Sequence, residues 1–304
     1  LADQALPFLG EDGVQYVPNR FRNYTVDWLD NIRDWCISRQ IWWGHRIPAW
    51  SHKESGEVYV GMEPPENVSD YDQDPDVLDT WFSSALWPFA TMGWPDRTED
   101  LARYHPTDLM ITGRDILYLW VVRMVMTAVE FEDVIPFKTV LVHPTVQTRD
   151  GKRMSKSLGT GIDPRELIGR YGADATRLSL LYQCGRSQDI RFDAEVKDNV
   201  LQDSPVPESC RNFCNKIWNA SRFVLMNLSD RDLTDASLSA KPEGVTDLPD
   251  RWILSRYNRT VAAVSASLTT FRFDEASRAL YEFVWNDYCD WYVEFAKLGF
   301  DENS

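Results

Sequence analysis

No run of apolar residues in the 304-residue chain approaches the roughly 20 needed to span a membrane, so no membrane helix is expected. The first residues, Leu1-Ala2-Asp3-Gln4, lack the basic and apolar regions of a secretory signal, and the chain opens on Leu rather than Met. Both features lead us to expect a cytoplasmic protein cut from a longer polypeptide. Cysteine is scarce, odd in number and scattered: Cys36, Cys184, Cys210, Cys214 and Cys289 include no Cys-x-x-Cys pair. That spacing offers neither a disulfide framework nor a structural zinc site, and it suits a reducing compartment. Cys210 and Cys214, one helical turn apart, read as packing residues. Positive charge is also short, with 32 Lys and Arg against 47 Asp and Glu and a net charge of −15. Taken globally this disfavours a nucleic-acid partner, because phosphate contacts need cations, but the local field decides.

What is present is enough for two domains by length, with 43% apolar residues to build their cores. No internal repeat or low-complexity tract interrupts the chain. Residues 17–50 are dense in aromatic and basic side chains, and residues 51–76 are polar, acidic and Pro-bearing, as in an insertion or loop-rich module. Asp108-Leu109-Met110-Ile111-Thr112 is a short apolar run ending at Gly113. A helical stripe then occupies 117, 120, 121, 124, 125 and 128, and Phe137-Lys138-Thr139-Val140-Leu141-Val142-His143 is β-rich. Strand, helix, strand is the signature of a parallel βαβ unit. The stretches 195–228 and 249–297 read as amphipathic helices rich in aromatics. A polar linker lies near 229–248, Ser204-Pro205-Val206-Pro207 reads as a break, and a domain boundary is expected near 192.

The chemistry concentrates in Gly151-Lys152-Arg153-Met154-Ser155-Lys156-Ser157-Leu158-Gly159. Small residues around several cations suit a loop that closes on a polyphosphate, and charge alone equally describes a solvated basic loop. Gly113-Arg114-Asp115 sits where a strand gives way to a helix, the place where parallel sheets bind ligands. The same spacing also describes a turn glycine followed by an Asp N-cap. Ile116 and Trp120 share a helical face, as core residues would. His143, at a strand end, is as readily structural as catalytic.

The 151–159 loop resembles the KMSKS loop of class I aminoacyl-tRNA synthetases, with Lys156 as its second lysine and Arg153 in place of the first. Further stretches resemble the valyl branch of that family: Asp34 through Pro48, with Trp42-Trp43-Gly44-His45; Asp76 through Pro88; Arg211 through Ala220; and Phe273 through Tyr292. The isoleucyl and leucyl branches share the loop but not the Trp42–His45 and Leu86-Trp87-Pro88 wording. The resemblance implies an α/β fold: the C-terminal half of a Rossmann-like parallel-sheet catalytic domain, followed by an α-helical bundle of the anticodon-binding type. It implies three regions: 1–25, the trailing edge of an editing insertion; 26–192, catalytic, with its own insertion around 51–106; and 193–304, the start of the helical domain. Pro144 stands after His143, where the family usually has Gly.

It further implies ATP-dependent activation of valine, Mg²⁺ accompanying ATP, transfer to tRNA(Val), and a monomeric parent. Lys156, Arg153 and Ser155 carry the catalytic roles in this reading. Gly113, Asp115, His143, Met154 and Ser157 bind ATP, and Trp43, Ile116 and Trp120 surround the amino-acid side chain. No zinc is expected, because residues 37–183 hold no Cys. The family's HIGH motif is not found among His45, His52, His105 and His143, so the 304 residues alone are expected to be inactive. An isoleucyl- or leucyl-specific enzyme, and a non-catalytic tRNA-binding module, stay open as alternatives.

Overall fold

In the computed structural model, residues 1–155, 159–185, 189–197, 200–228 and 244–301 are described. They divide into two units, Leu1–His143 and Pro144–Ser304.

The first unit is built on a parallel sheet of three strands. Phe137–His143 lies in the middle, with Gln15–Val17 on one side and Thr107–Gly113 on the other. The register sets Gln15 against Thr139, Thr107 against Phe137, and Gly113 against His143. Val140, Leu141 and Val142 are all buried, as befits a strand covered on both faces. The expected strand–helix–strand unit is present, but its helix is not uniform. Arg114–Ile116 is a 3₁₀ turn, Leu117–Val121 a π-helical turn, and only Val122–Glu132 is α-helical. Asp133 stops it in the left-handed conformation at φ 53°, with its N–H returning to the Val129 carbonyl. Leu117, Val121, Val122, Met124 and Val125 from this segment pack with Leu9, Val14, Leu29, Phe137 and Val140 into the unit's main core.

The 51–76 region, expected to be loop-rich, instead contributes to a small antiparallel sheet. Ala49–His52 lies between Val58–Val60 and Tyr71–Gln73. Three or four residues per strand, separated by charged turns, leave too short an alternation to be legible in the sequence. A separate apolar cluster forms where Phe89, Leu101 and Ala128 meet.

In the second unit, Val146–Gln147 pairs in parallel with Ile190–Arg191. Asp163 caps the Pro164–Tyr171 helix by accepting from the Arg165 N–H, and Pro164 at the first position has no N–H to leave unsatisfied. A core of Leu167, Tyr171, Ala175, Ile190, Phe192, Leu201 and Cys210 follows. Residues 195–203, read above as the start of an amphipathic helix, form the hairpin Glu195–Lys197 and Val200–Asp203. The expected break at Ser204–Pro207 is the first turn of a 23-residue helix, Pro205–Asn227, where proline is tolerated. The helices Leu248–Thr269 and Phe273–Tyr281 and the π-helical stretch Glu282–Tyr292 continue the unit. They are tied together by Arg256–Asp287 at 2.7 Å and by Tyr292 donating to Asp250 at 2.9 Å. Among the described residues, no helix is long and apolar enough to cross a membrane.

Candidate active-site elements

In the first unit, the sheet edge and the turn after it gather most of the expected ligand-binding residues. Gly113 and His143 are register partners at the ends of adjacent strands. A methyl group added at Gly113 would stand 3.5 Å from the His143 ring, so the glycine keeps that approach open without steric need. Asp115 is exposed in the 3₁₀ turn, beside Arg114 at 3.9 Å. Ile116 caps the π-helical turn and Trp120 lies within it, a departure from α-geometry that is frequent at functional sites.

Trp120 is held by more than packing. Its indole N–H donates to the Ser84 carbonyl at 3.0 Å, and Thr127 donates to the neighbouring Ala85 carbonyl at 2.8 Å. Both carbonyls belong to the end of the short helix Thr80–Ala85, whose N-cap is Asp79, accepting from the Trp81 N–H at 2.7 Å. Asp79 is 6% exposed and pairs with Arg39. It also favours the charged form of the buried Arg123, whose pKa is nonetheless lowered, above all by desolvation. A buried carboxylate thus fixes the helix that orients Trp120. The only sequence signal was the Asp79-Thr80 pair at a helix start, which says nothing of Trp120 40 residues on.

Trp43 is placed differently. It is 87% exposed, next to Trp42 at 99%, on an irregular stretch with Gly44 at φ 158°. At that exposure Trp43 does not close a pocket with Ile116 and Trp120 in this structure.

In the second unit, the cationic loop rises from a tight turn. The Lys152 N–H donates to the Thr148 hydroxyl, and the Thr148 N–H donates to the Lys152 carbonyl, at 3.0 and 2.9 Å. Gly151 sits at φ 80°, where a side chain would be strained. The Lys152 ammonium pairs with Asp150 at 2.9 Å. The Asp150 carboxyl, held first by the Thr148 hydroxyl and then by Lys152, falls to about 2. Arg153 bridges to Gln147 through the backbone, and its exposed guanidinium has no carboxylate within 4 Å among the described residues. Thr160 closes the loop: the Ser155 N–H donates to its hydroxyl at 3.0 Å, and the Thr160 N–H donates to the Ser155 carbonyl at 3.1 Å. Thr160 and Asp189, which accepts from the Thr145 N–H and the Gln147 side chain, were not foreseen, since each acts through a partner distant in sequence or on the loop's far side. Met154 is half-buried; Lys156 and Ser157 lie outside the described residues. Among the described residues, no group of three or more His, Cys, Asp or Glu is arranged to hold a metal ion.

This strand-to-turn edge, followed in sequence by a Thr160-closed cationic loop, is matched by a known family. The model for tRNA synthetases class I (I, L, M and V) covers residues 1–70 and 65–193, and the model for the anticodon-binding domain of tRNA ligases covers 250–304. The chain belongs to the class I tRNA synthetases of that group. Within the group it is similar to valine–tRNA ligases. It is 51% identical to that of Bacillus subtilis over 98% of this chain and 32% of the relative, and 51% identical to that of Geobacillus kaustophilus over 95% and 31%. The chain therefore spans about a third of the length of the curated relatives it matches. Its fold is shared with Mycobacterium tuberculosis methionyl-tRNA synthetase bound by methionyl-adenylate, at a TM-score of 0.70 and 18% identity over 100% of this chain and 52% of that one. It is also shared with a ternary complex of Agrobacterium radiobacter K84 LeuRS with tRNA and LeuAMS, at 0.68 and 20% over 83% and 36%.

Proposed function

We propose that this chain is the part of a valine–tRNA ligase that holds ATP and valine and begins the helical domain directed at tRNA(Val). The observation that carries the reading is the 51% identity to valine–tRNA ligases over nearly the whole chain. The valine carboxylate attacks the α-phosphorus of ATP, pyrophosphate leaves, and the valyl group passes to the terminal ribose of the tRNA. Mg²⁺ enters with ATP as part of that substrate. The protein positions reactants and stabilises charge as it builds on the phosphates. In this reading Gly113, Asp115 and His143 serve the adenosine side. Met154, Ser155 and Ser157 line the loop, and Lys156 with Arg153 neutralises pyrophosphate. The guanidinium of Arg153, with no carboxylate within 4 Å among the described residues, supports that role, since Lys152 already has Asp150 for a partner. Residues 26–192 would form the second part of the catalytic domain, with the helical domain beginning near 193.

Ile116 and Trp120 serve the amino-acid side chain from the π-helical segment, and Trp43 is the third wall of that pocket in this reading. An apolar pocket of this kind excludes isoleucine by size but discriminates weakly against threonine, a near-isostere that only adds a hydroxyl. Trp120→Ala, placed in a full-length protein carrying this sequence, is expected to raise the valine KM by about tenfold, the scale of one lost apolar contact set. It should also narrow the preference over isoleucine. Amino-acid-dependent pyrophosphate exchange checks both. Preference of the unmutated enzyme for isoleucine or leucine would overturn the valine reading.

A further inference from the structure

A cavity of about 930 Å³ in the first unit shares Arg39, Ala85, Arg123 and Thr127 with the network around Trp120, but Arg33 and Cys36 on its wall have no role assigned above. Trp28, Trp35 and Phe82 give it aromatic walls, and Arg33, Arg39 and Arg123 make it cationic within an acidic chain; Cys36 opens into it. Arg123 is 9% exposed. Its guanidinium carbon stands 3.5 Å from the centre of the Trp35 ring, and its Nη1 is buried with no hydrogen-bond partner. Arg39 is committed to Asp79 and to the Cys36 and Ser38 carbonyls. Arg33 is exposed, with no carboxylate within 4 Å among the described residues. Among the lining residues three guanidinium groups face one carboxylate, Asp34; Asp79 lies behind the wall and Asp76 acts on Cys36 from nearby, so the exposed Arg33 and the Nη1 of Arg123 are the donors left for an anion.

Cys36 is the one exposed cysteine of the five; Cys184 and Cys214 are half-buried, and Cys210 and Cys289 are buried. Its sulfur lies 3.3 Å from the Ser38 hydroxyl. Its pKa is lowered, first by that hydroxyl and then by the Ser38 backbone and the Arg39 charge, against the opposing pull of desolvation and of Asp76, whereas burial raises the other four. A thiol in an accessible, electropositive pocket is the kind that reacts, since the thiolate is the nucleophile.

We infer that Cys36 is a thiol-modification site, and that its cavity selects small disulfides bearing carboxylate groups on an apolar or aromatic body. The thiolate attacks one sulfur of the disulfide, a new sulfur–sulfur bond to Cys36 forms, and the original bond breaks. The other half leaves as a thiolate, and the proton of Cys36 passes to solvent. No external oxidant is needed, because the incoming disulfide is reduced as Cys36 is oxidised. The mixed disulfide places its carboxylate among Arg33, Arg39 and Arg123 and its ring against Trp35 and Phe82.

The test uses the 304-residue chain and two aromatic disulfides of similar size, anionic dithiobis(nitrobenzoate) and neutral dithiodipyridine. One thiol per chain is expected to react with the anionic reagent ahead of the other four, and Cys36→Ser to abolish that phase. Arg33→Gln, a surface change that leaves the core intact, is expected to slow the anionic reagent at Cys36 by roughly fivefold while leaving the neutral one unchanged. Added salt should act in the same sense. A fast phase that survives Cys36→Ser overturns the site. Equal effects of Arg33→Gln on both reagents overturn the selection for carboxylates.

Discussion

Lys156→Ala, in a full-length protein carrying this sequence, is expected to slow aminoacyl-adenylate formation by roughly 100-fold, the usual cost of one charge-stabilising donor. The loss should appear in kcat, with the KM for ATP changing little. The lysine is assigned to charge that grows on the pyrophosphate as it departs, not to the ground state. Neighbouring cations are poorly placed to substitute. Lys152 is paired with Asp150, which accepts from Thr148 as well, and Arg149 is paired with Asp193 at 3.3 Å. Arg153 has no carboxylate within 4 Å among the described residues, and in this reading it already serves the same phosphates. Lys152→Ala is therefore the informative control and should cost far less than Lys156→Ala. Equal pyrophosphate-exchange rates for wild type and Lys156→Ala would remove the loop from the reaction.

Asp79→Ala should destabilise the first unit by about 3 kcal/mol, the low end of the range for breaking a buried ion pair from one side, because Arg39 is 37% exposed and regains water. Three losses coincide. The Thr80–Ala85 helix loses its cap, Arg39 loses its carboxylate, and the buried Arg123 loses the nearby charge that favours its ionised form. Because Trp120 and Thr127 hang on the last carbonyls of that helix, the effect should spread to the Val122–Glu132 helix. Hydrogen exchange of its amides would read this as an acceleration of roughly two orders of magnitude, each factor of ten being 1.36 kcal/mol. Asp79→Asn keeps a cap acceptor and should recover only part of the loss. An acceleration below tenfold would mean that the two arginines find other partners at little cost.

The sequence was most legible where one period ran long enough. The Phe137–His143 strand and the helices beyond 205 show it, because five or more residues of one pattern had a single packing solution. The π-helical turn at Leu117–Val121 was not legible, since an apolar stripe looks alike in α and π geometry over one turn. The 195–203 hairpin was lost for the opposite reason: two strands of three and four residues resemble the first turn of the helix that follows. Among the candidate site residues, motif wording singled out the loop and the strand edge. It missed the residues that hold them, Thr160, Asp189 and Asp79, because a hydroxyl or carboxylate that acts through a backbone N–H has no wording of its own. Trp43 shows the reverse case, a residue chosen by wording that stands in solvent here.

The parallel sheet of the first unit also sets a timetable. Gln15 pairs with Thr139, a partner 124 positions later, whereas Thr107 pairs with Phe137 only 30 positions on. Pairings so distant in sequence are slow to form, because a long loop must close before any contact rewards it. During synthesis at roughly 5–20 residues per second, the Gln15–Val17 strand waits about 6–25 s for its partner to be made. Throughout that interval its backbone donors and the apolar side chains around Val14 lack the Phe137–His143 strand. The Gln15–Val17 strand of nascent chains should therefore stay open to chaperones until residue 143 has emerged.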